Sequence, residues 1–252
     1  MDSIQKILTG FDSIGLDEMD QVKLMDRVDT KYVLRMDQFE LILPELDKFY
    51  KVLDLKGVRM SKYETLYYDT LDFRFYHQHQ NEKLNRYKIR ARHYVESKLN
   101  YFEIKFKNNK GRTIKDRIKT TRVNTSLEQN EKDLLFEKTG IKFSEIHPQI
   151  WVNYFRTTLV SKLSKERVTI DSGLHFIRDG ETTNFEKIII IEVKQERTFN
   201  SPITEELKKH LIKACSISKY CLGIMTMIPQ IKKNNFKKTI LTINKILYAS
   251  VR

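Results

Sequence analysis

Residues 86–119 read RYKIRARHYVESKLNYFEIKFKNNKGRTIKDRIK, three short runs separated by turn-forming residues. Successive side chains of a strand point to opposite faces. In the first run Lys88, Arg90, Arg92 and Tyr94 share one face, and Tyr87, Ile89, Ala91 and His93 the other. In the second, Glu103, Lys105 and Lys107 oppose Phe102, Ile104 and Phe106. In the third, Thr113, Lys115, Arg117 and Lys119 oppose Ile114, Asp116 and Ile118. Asn108-Asn109-Lys110-Gly111 has the chemistry of a hairpin turn. Three neighbouring strands with one apolar and one basic face are the starting point.

The same code recurs further along. Tyr154 and Arg156 oppose Phe155 and Leu159; Arg167 and Asp171 oppose Val168 and Ile170; Glu192, Lys194 and Glu196 oppose Ile191 and Val193. The plainer reading is an ordinary sheet with a solvated charged face. Like charges directly opposite each other destabilise a sheet, however, and here most cross-strand neighbours would be Lys or Arg in any register. Helices covering the apolar faces would let the charged faces turn inward. The expected fold is therefore α+β: a closed antiparallel β-barrel of about eight strands, a tunnel, with surrounding helices. A lumen of cations makes sense as a receptacle for a polyphosphate chain or a nucleoside triphosphate.

Charge distribution agrees. The 252 residues hold 46 Lys+Arg against 33 Asp+Glu, a net charge of +13. Residues 83–119 and 207–252 each carry a net +10, the second with no acidic residue at all, so the remainder is acidic. Such segregation implies a polyanionic partner. A hydrophobic share of 40% with 8 Gly and 4 Pro excludes disordered and low-complexity chains. Cys215 and Cys221 fit neither a disulfide scaffold nor a zinc site. No apolar run is long enough to span a membrane and no signal peptide is evident, so a cytoplasmic location is expected.

Other elements are coarser. Short helices are expected in the first 25 residues, with Asp17 capping 17–25, and a strand at 31–36. Asp37 caps a helix through 38–49. Strands follow at 63–70, 151–160, 166–171 and 187–196; helices follow at 126–140, ending on Gly140, and at 204–215, capped by Thr204. His77 and His79 fall in a polar loop with no metal role. Residues 1–230 read as one domain and 231–252 as a basic amphipathic C-terminal helix. Its Lys232, Lys233, Lys237, Lys238 and Lys245 accompany Ile240, Ile243, Leu247 and Val251. That pattern suits packing beside the barrel or resting on an anionic membrane surface.

Eight short motifs occur in one order: DTKY with Lys31, KIRAR with Arg90 and Arg92, FEIKFK with Glu103 and Lys105, TIKDRIK with Lys115 and Arg117. NYFRT follows with Tyr154 and Arg156, RVTID with Arg167 and Asp171, IIIEVK with Glu192 and Lys194, and SISKYCLG with Ser218 and Lys219. Across roughly residues 20–228 the chain resembles the triphosphate tunnel metalloenzymes, most closely the vacuolar transporter chaperone (VTC) polyphosphate polymerase domain. The adenylyl cyclase/thiamine-triphosphatase branch opens with E-x-E-x-K. Arg27-Val28-Asp29-Thr30-Lys31 stands there instead, which favours the polymerase branch.

The resemblance implies transfer of the γ-phosphate of ATP to a growing polyphosphate chain. It assigns catalytic roles to Lys31, Arg90, Arg92, Lys105 and Lys219. Phosphate binding falls to these with Lys115, Arg117, Tyr154, Arg156, Arg167, Lys194 and Ser218. Glu192 would hold Mn²⁺ or Mg²⁺, while Glu103 and Asp171 read as charge partners rather than ligands. Thr30 is a further candidate, and Tyr67 and Tyr68 read as structural. Hydrolysis of triphosphate or polyphosphate, or binding without turnover, are the alternatives. Nucleic acid is not an expected partner. A membrane protein receiving the product, or an anionic membrane holding the chain at its inner face, is the further expectation.

Overall fold

Alternation of apolar and charged residues builds most of the chain into strands. A computed structural model describes residues 1–21, 27–123 and 125–248. Its strands are β1 (Ser13–Ile14), β2 (Val28–Arg35), β3 (Tyr50–Leu53), β4 (Ser61–Asp69), β5 (Arg86–Tyr94), β6 (Leu99–Lys107), β7 (Thr113–Thr120), β8 (His147–Ser161), β9 (Glu166–Arg178), β10 (Glu181–Phe185) and β11 (Ile188–Gln195). The helices are α1 (Asp2–Leu8), α2 (Leu16–Gln21), α3 (Met36–Ile42), α4 (Arg74–Gln80), α5 (Gln129–Thr139), α6 (Pro202–Lys209), α7 (Lys219–Met227) and α8 (Lys237–Tyr248).

Eight strands form one antiparallel path, β2-β11-β9-β8-β4-β5-β6-β7, with β3 and β10 pairing at its side and β1 pairing with β3. This is the expected α+β fold with its eight-strand wall and surrounding helices. Among the described residues β2 and β7 share no ladder, so the wall has a seam between its ends. The sheet is strongly curled. Lys31 on β2 and Lys88 on β5 are five strands apart along the path, about 24 Å if the sheet were flat. Yet Lys31 is near enough to help depress the pKa of Lys88.

The apolar faces are buried outside the curl. Ile89, Ala91, Phe102 and Ile104 pack under α5 with Leu135, and Val168, Ile170, Ile191 and Val193 pack against Phe39, Leu43 and Leu207. One end of the concave side is apolar as well. Val33, Ile150, Val152, Phe176 and Ile190 are covered there by Leu222 and Ile224 of α7 and Ile243 and Ile246 of α8. A bulge in β9 makes this possible. Gly173 adopts φ +59°, in the left-handed region, and one extra residue flips the alternation. Asp171 and the apolar Leu174 and Phe176 thereby share the inner face.

Buried Asp69 ties the filled end together. Its carboxylate accepts hydrogen bonds from the backbone N–H groups of Phe75 (2.8 Å) and Tyr76 (2.9 Å) at the start of α4, and from the Tyr220 hydroxyl of α7.

Several elements differ from the sequence expectation. The polar stretch with His77 and His79 is α4, not a loop; His79 is half-buried and its pKa falls to about 2, chiefly through loss of solvation. The helix expected from Asp37 begins at Met36 with Arg35 as its cap, and Pro44 converts its end to a 3₁₀ turn, Leu43–Leu46. Ser201, not Thr204, precedes α6, which stops at Lys209; beyond it Cys215 N–H donates to Lys31 C=O. Helix α2 starts before Asp17, and residues 22–25 of that expected helix, like Val251 of the tail, lie outside the described residues. α7, β1, β3 and β10 were not expected. Gly140 ends α5 at φ +68° as read. No helix among the described residues is long and apolar enough to cross a membrane.

Helix α7 lies so close to the sheet that a Cβ on Gly223 would come within 2.7 Å of Ile150 and Phe176. Gly223→Ala is therefore expected to destabilise by roughly 1–3 kcal/mol through overpacking. The thermal midpoint should fall by about 2–10 °C, read by circular dichroism; an unchanged midpoint would refute the close approach.

Candidate functional site

The charged inner face is organised around three carboxylates, each held between two cations, two of them (Glu103 and Asp171) fully buried. Glu103 of β6 accepts from Arg90 of β5 through Nε (2.7 Å) and Nη2 (2.6 Å), with Lys115 of β7 on its other oxygen. Asp171 of β9 accepts a fork from Arg156 of β8 at 2.6 and 2.8 Å, and Lys219 at the start of α7 completes the group. Glu192 of β11 pairs with Lys31 of β2 at 2.9 Å and with Lys194 two residues along its own strand. Cross-strand register makes these sets: Arg90 lies opposite Glu103, Arg156 opposite Asp171, Lys31 opposite Glu192.

Electrostatics follow from the geometry. Burial acts to raise the Glu103 pKa, but Arg90, Arg92 and Lys115 hold it well below the carboxylate range. Burial is likewise overcome at Asp171 by Arg156 and Lys219, leaving a pKa of about 2. Glu192 is held well below the usual value by Lys194 and Lys31 against its own burial. All three stay ionised at neutral pH. Lys194 drops to about 8 because its burial outweighs the pull of Glu192.

Lys88, Arg92 and Lys105 are inner-face cations with no carboxylate within ion-pair distance among the described residues. Arg92 donates from Nε to Thr65 (3.1 Å), and its guanidinium lies 5.3 Å from the Tyr63 ring and 5.9 Å from those of Tyr94 and Tyr154. Arg90, first, and then burial and Arg92 push the Lys105 pKa well below that of a free lysine. Burial lowers the Lys88 pKa, with Lys31 and Arg86 adding to it. The Tyr67 hydroxyl accepts from Arg90 Nη1 at 3.2 Å. Although burial opposes it, Arg90 and Arg92 bring that phenol below its usual value.

Most residues singled out in the sequence thus meet on one surface: Lys31, Arg90, Arg92, Lys105, Lys115, Arg156, Glu192, Lys194 and Lys219. Tyr154 is buried beneath Arg156 and Lys219, whose charges lie 5.3 and 4.7 Å from its ring. Arg167 sits beside Lys194 in register. Arg117 stands at the exposed edge on β7, 4.6 Å from the Tyr101 ring. Ser218 caps α7, accepting from Cys221 N–H at 3.4 Å. Thr30 pairs with Val193 on β2. Lys88, Tyr63, Tyr67 and Thr65 belong to the same face and were not singled out as site residues. Lys88 continues the Arg90/Arg92 alternation; the others share a parity in β4 that carries no cation, so nothing marked them.

Glu192 alone among the three carboxylates reaches solvent, with a side chain 20% exposed against 0% for Glu103 and 2% for Asp171. Among the described residues no group of three or more His, Cys, Asp or Glu could hold a metal. One accessible carboxylate fits a hard divalent ion that takes its other ligands from phosphate oxygens and water, and does not fit a metal held by protein alone.

Lys105 is repelled by Arg90 and Arg92 and has no carboxylate within ion-pair distance among the described residues, so Lys105→Met should raise the thermal midpoint of the free protein by about 2–4 °C and weaken tripolyphosphate binding. A lower midpoint would show that Lys105 is not repelled. Phosphate oxygens restore protons to Lys105 and Lys88, so binding above their depressed pKa values takes up protons and affinity falls as pH rises. Calorimetry at a pH just below the free-lysine value of about 10.4 in two buffers of different ionisation enthalpy should report net uptake; net release would contradict this assignment.

Solved structures align with the chain at low similarity. A protein of Bacillus halodurans named as a candidate adenylate cyclase aligns at 14% identity, covering 77% of this chain and 94% of that one, TM-score 0.48. A Hippeastrum protein described as having a dominant triphosphatase activity aligns at 13%, covering 79% and 96%, TM-score 0.48. A protein of Pyrococcus horikoshii aligns at 14%, covering 80% and 98%, TM-score 0.41. No curated protein matches the chain. Compared with known protein families, residues 26–228 match the VTC domain, from the end of the undescribed segment before β2 to the end of α7. With the match spanning most of its length and every inner-face group described above, this chain belongs to the VTC domain family.

Proposed function

We propose that the chain is a polyphosphate polymerase. The observation that carries the reading is the surplus of charge on the inner face. Three carboxylates each leave a net positive group, and Lys88, Arg92 and Lys105 have no carboxylate within ion-pair distance among the described residues, a surplus that suits a ligand with many anionic oxygens. Arginine forks grip phosphate oxygens bidentately, and lysines act as mobile point charges. Phosphoryl transfer needs such positioning and neutralisation rather than a covalent protein intermediate.

In the reaction, a terminal phosphate oxygen of the acceptor attacks the γ-phosphorus of ATP. The bond from that phosphorus to the β–γ bridging oxygen breaks, and ADP leaves with that oxygen and its electron pair. The acceptor gains one phosphate. Arg90, Arg92 and Arg156 hold the phosphates in line, while Lys105, Lys31 and Lys219 spread charge as the bond breaks. Arg90 and Arg156 are pre-oriented by Glu103 and Asp171, and Arg92 by Thr65 and the tyrosine rings. Glu192 would hold a Mn²⁺ or Mg²⁺ ion arriving on the phosphates, and the ion would supply charge neutralisation to the bridging oxygens.

With ATP and Mn²⁺, wild type is expected to form a ladder of chains on a polyphosphate gel, with ADP and little free phosphate. Glu192→Gln and Arg92→Ala should each lose at least about 100-fold. Free phosphate without a ladder would instead select hydrolysis, and full activity in both variants would refute the site.

A further inference from the structure

Four tyrosines line one inner edge of the site: Tyr154, Tyr63, Tyr94 and Tyr101, from the successive strands β8, β4, β5 and β6. Tyr154, Tyr63 and Tyr94 are direct cross-strand neighbours, and Tyr101 lies opposite Arg92. Tyr63 stacks on Tyr154 with centroids 5.3 Å apart and planes at 18°, and meets Tyr94 edge-on at 4.8 Å. Tyr94 meets Tyr101 at 5.9 Å and 87°, an open right-angled corner. Exposure rises along the row: Tyr154 is buried, whereas Tyr94 and Tyr101 are half-exposed. Tyr94 and Tyr101 lie outside the apolar cluster filled by α7 and α8, which Tyr154 joins and Tyr63 packs against.

A chain of phosphates has no apolar surface and gains nothing from an aromatic corner. A nucleotide has both parts. Arg92, within 5.9 Å of the Tyr94 ring, stands between the corner and the cationic interior. Arg117, 4.6 Å from the Tyr101 ring, flanks the corner with a flat cation. Base–aromatic stacking tolerates any base and is reinforced by arginine. We propose that Tyr94 and Tyr101 form a platform on which the base of a nucleoside triphosphate stacks while its phosphates reach inward to Arg92 and Arg156. This deepens the polymerase reading and rests on it: the corner distinguishes the nucleotide donor from the inorganic acceptor, which share the same phosphate chemistry.

The test compares ATP with inorganic tripolyphosphate by titration calorimetry on the full chain. The Kd ratio of tripolyphosphate to ATP should fall roughly 5- to 100-fold in Tyr94→Leu and Tyr101→Leu and hold in Tyr101→Phe. Taking a ratio cancels any general weakening of the channel. In wild type, saturation transfer from tyrosine ring protons to adenine protons should be seen whether or not the leucine variants fold. An unchanged ratio, or no transfer, overturns the platform while leaving the phosphate site standing. Failure of wild type to bind either ligand overturns the polymerase reading and the platform with it.

Discussion

Repulsion among cations on the inner face is the constraint to which the rest of the molecule answers. Lys and Arg side chains from six strands and one helix point toward one another in a low-dielectric interior, where unscreened charge is costly. Glu103, Asp171 and Glu192 make the arrangement tenable by bridging two cations each. They neutralise half of what they touch and leave the other half available. A fully neutralised face would be more stable and would hold no polyanion; one without carboxylates would not stay folded.

Scaffolding around this face is correspondingly stiff. The outer apolar surfaces are covered by α3, α5 and α6, so the curl of the sheet is fixed from outside. The filled end is fixed from inside, by the flip of alternation at Gly173 and the close seating of Gly223 against Phe176. Asp69 joins β4, α4 and α7 through one carboxylate. Lys219 and Tyr220, adjacent on α7, therefore reach Asp171 and Tyr67 from a rigid base. The placement of Lys219 depends on packing several residues away from any charge.

Alternation made the sheet legible from sequence: a strict period of two in 86–119 gives strand, register parity and inward face together. It served equally for Arg156, Asp171 and Glu192. What it could not show was anything lacking that period. Helix α4 is short and polar at its histidines, and its start is satisfied by Asp69 rather than by an adjacent capping side chain. Helix α7 contains Gly223, a poor helix former, and no helix is expected there until the sheet that demands the glycine is in place. The tyrosine row was hidden for a similar reason, because β4 carries no cation to mark its inner parity. The tail helix read as equally able to pack or to lie on a membrane. Ile243 and Ile246 are buried against the sheet, while Leu241 (51% exposed) and Tyr248 (80%) face outward among lysines.

The seam between β2 and β7 has a consequence for how the molecule behaves among its own copies. An unpaired edge is a template on which another chain can add a strand. The edge of β2 is partly covered where Cys215 N–H meets Lys31 C=O, but β7 is exposed along most of its length. Lys115, Arg117 and Lys119 stand on that edge, and their mutual repulsion discourages a second β7 from docking. Long anionic polymer would cancel that repulsion. Colloidal stability is then set by how much polymer surrounds the protein, so crowding it with such a chain brings molecules together that salt-free solution keeps apart.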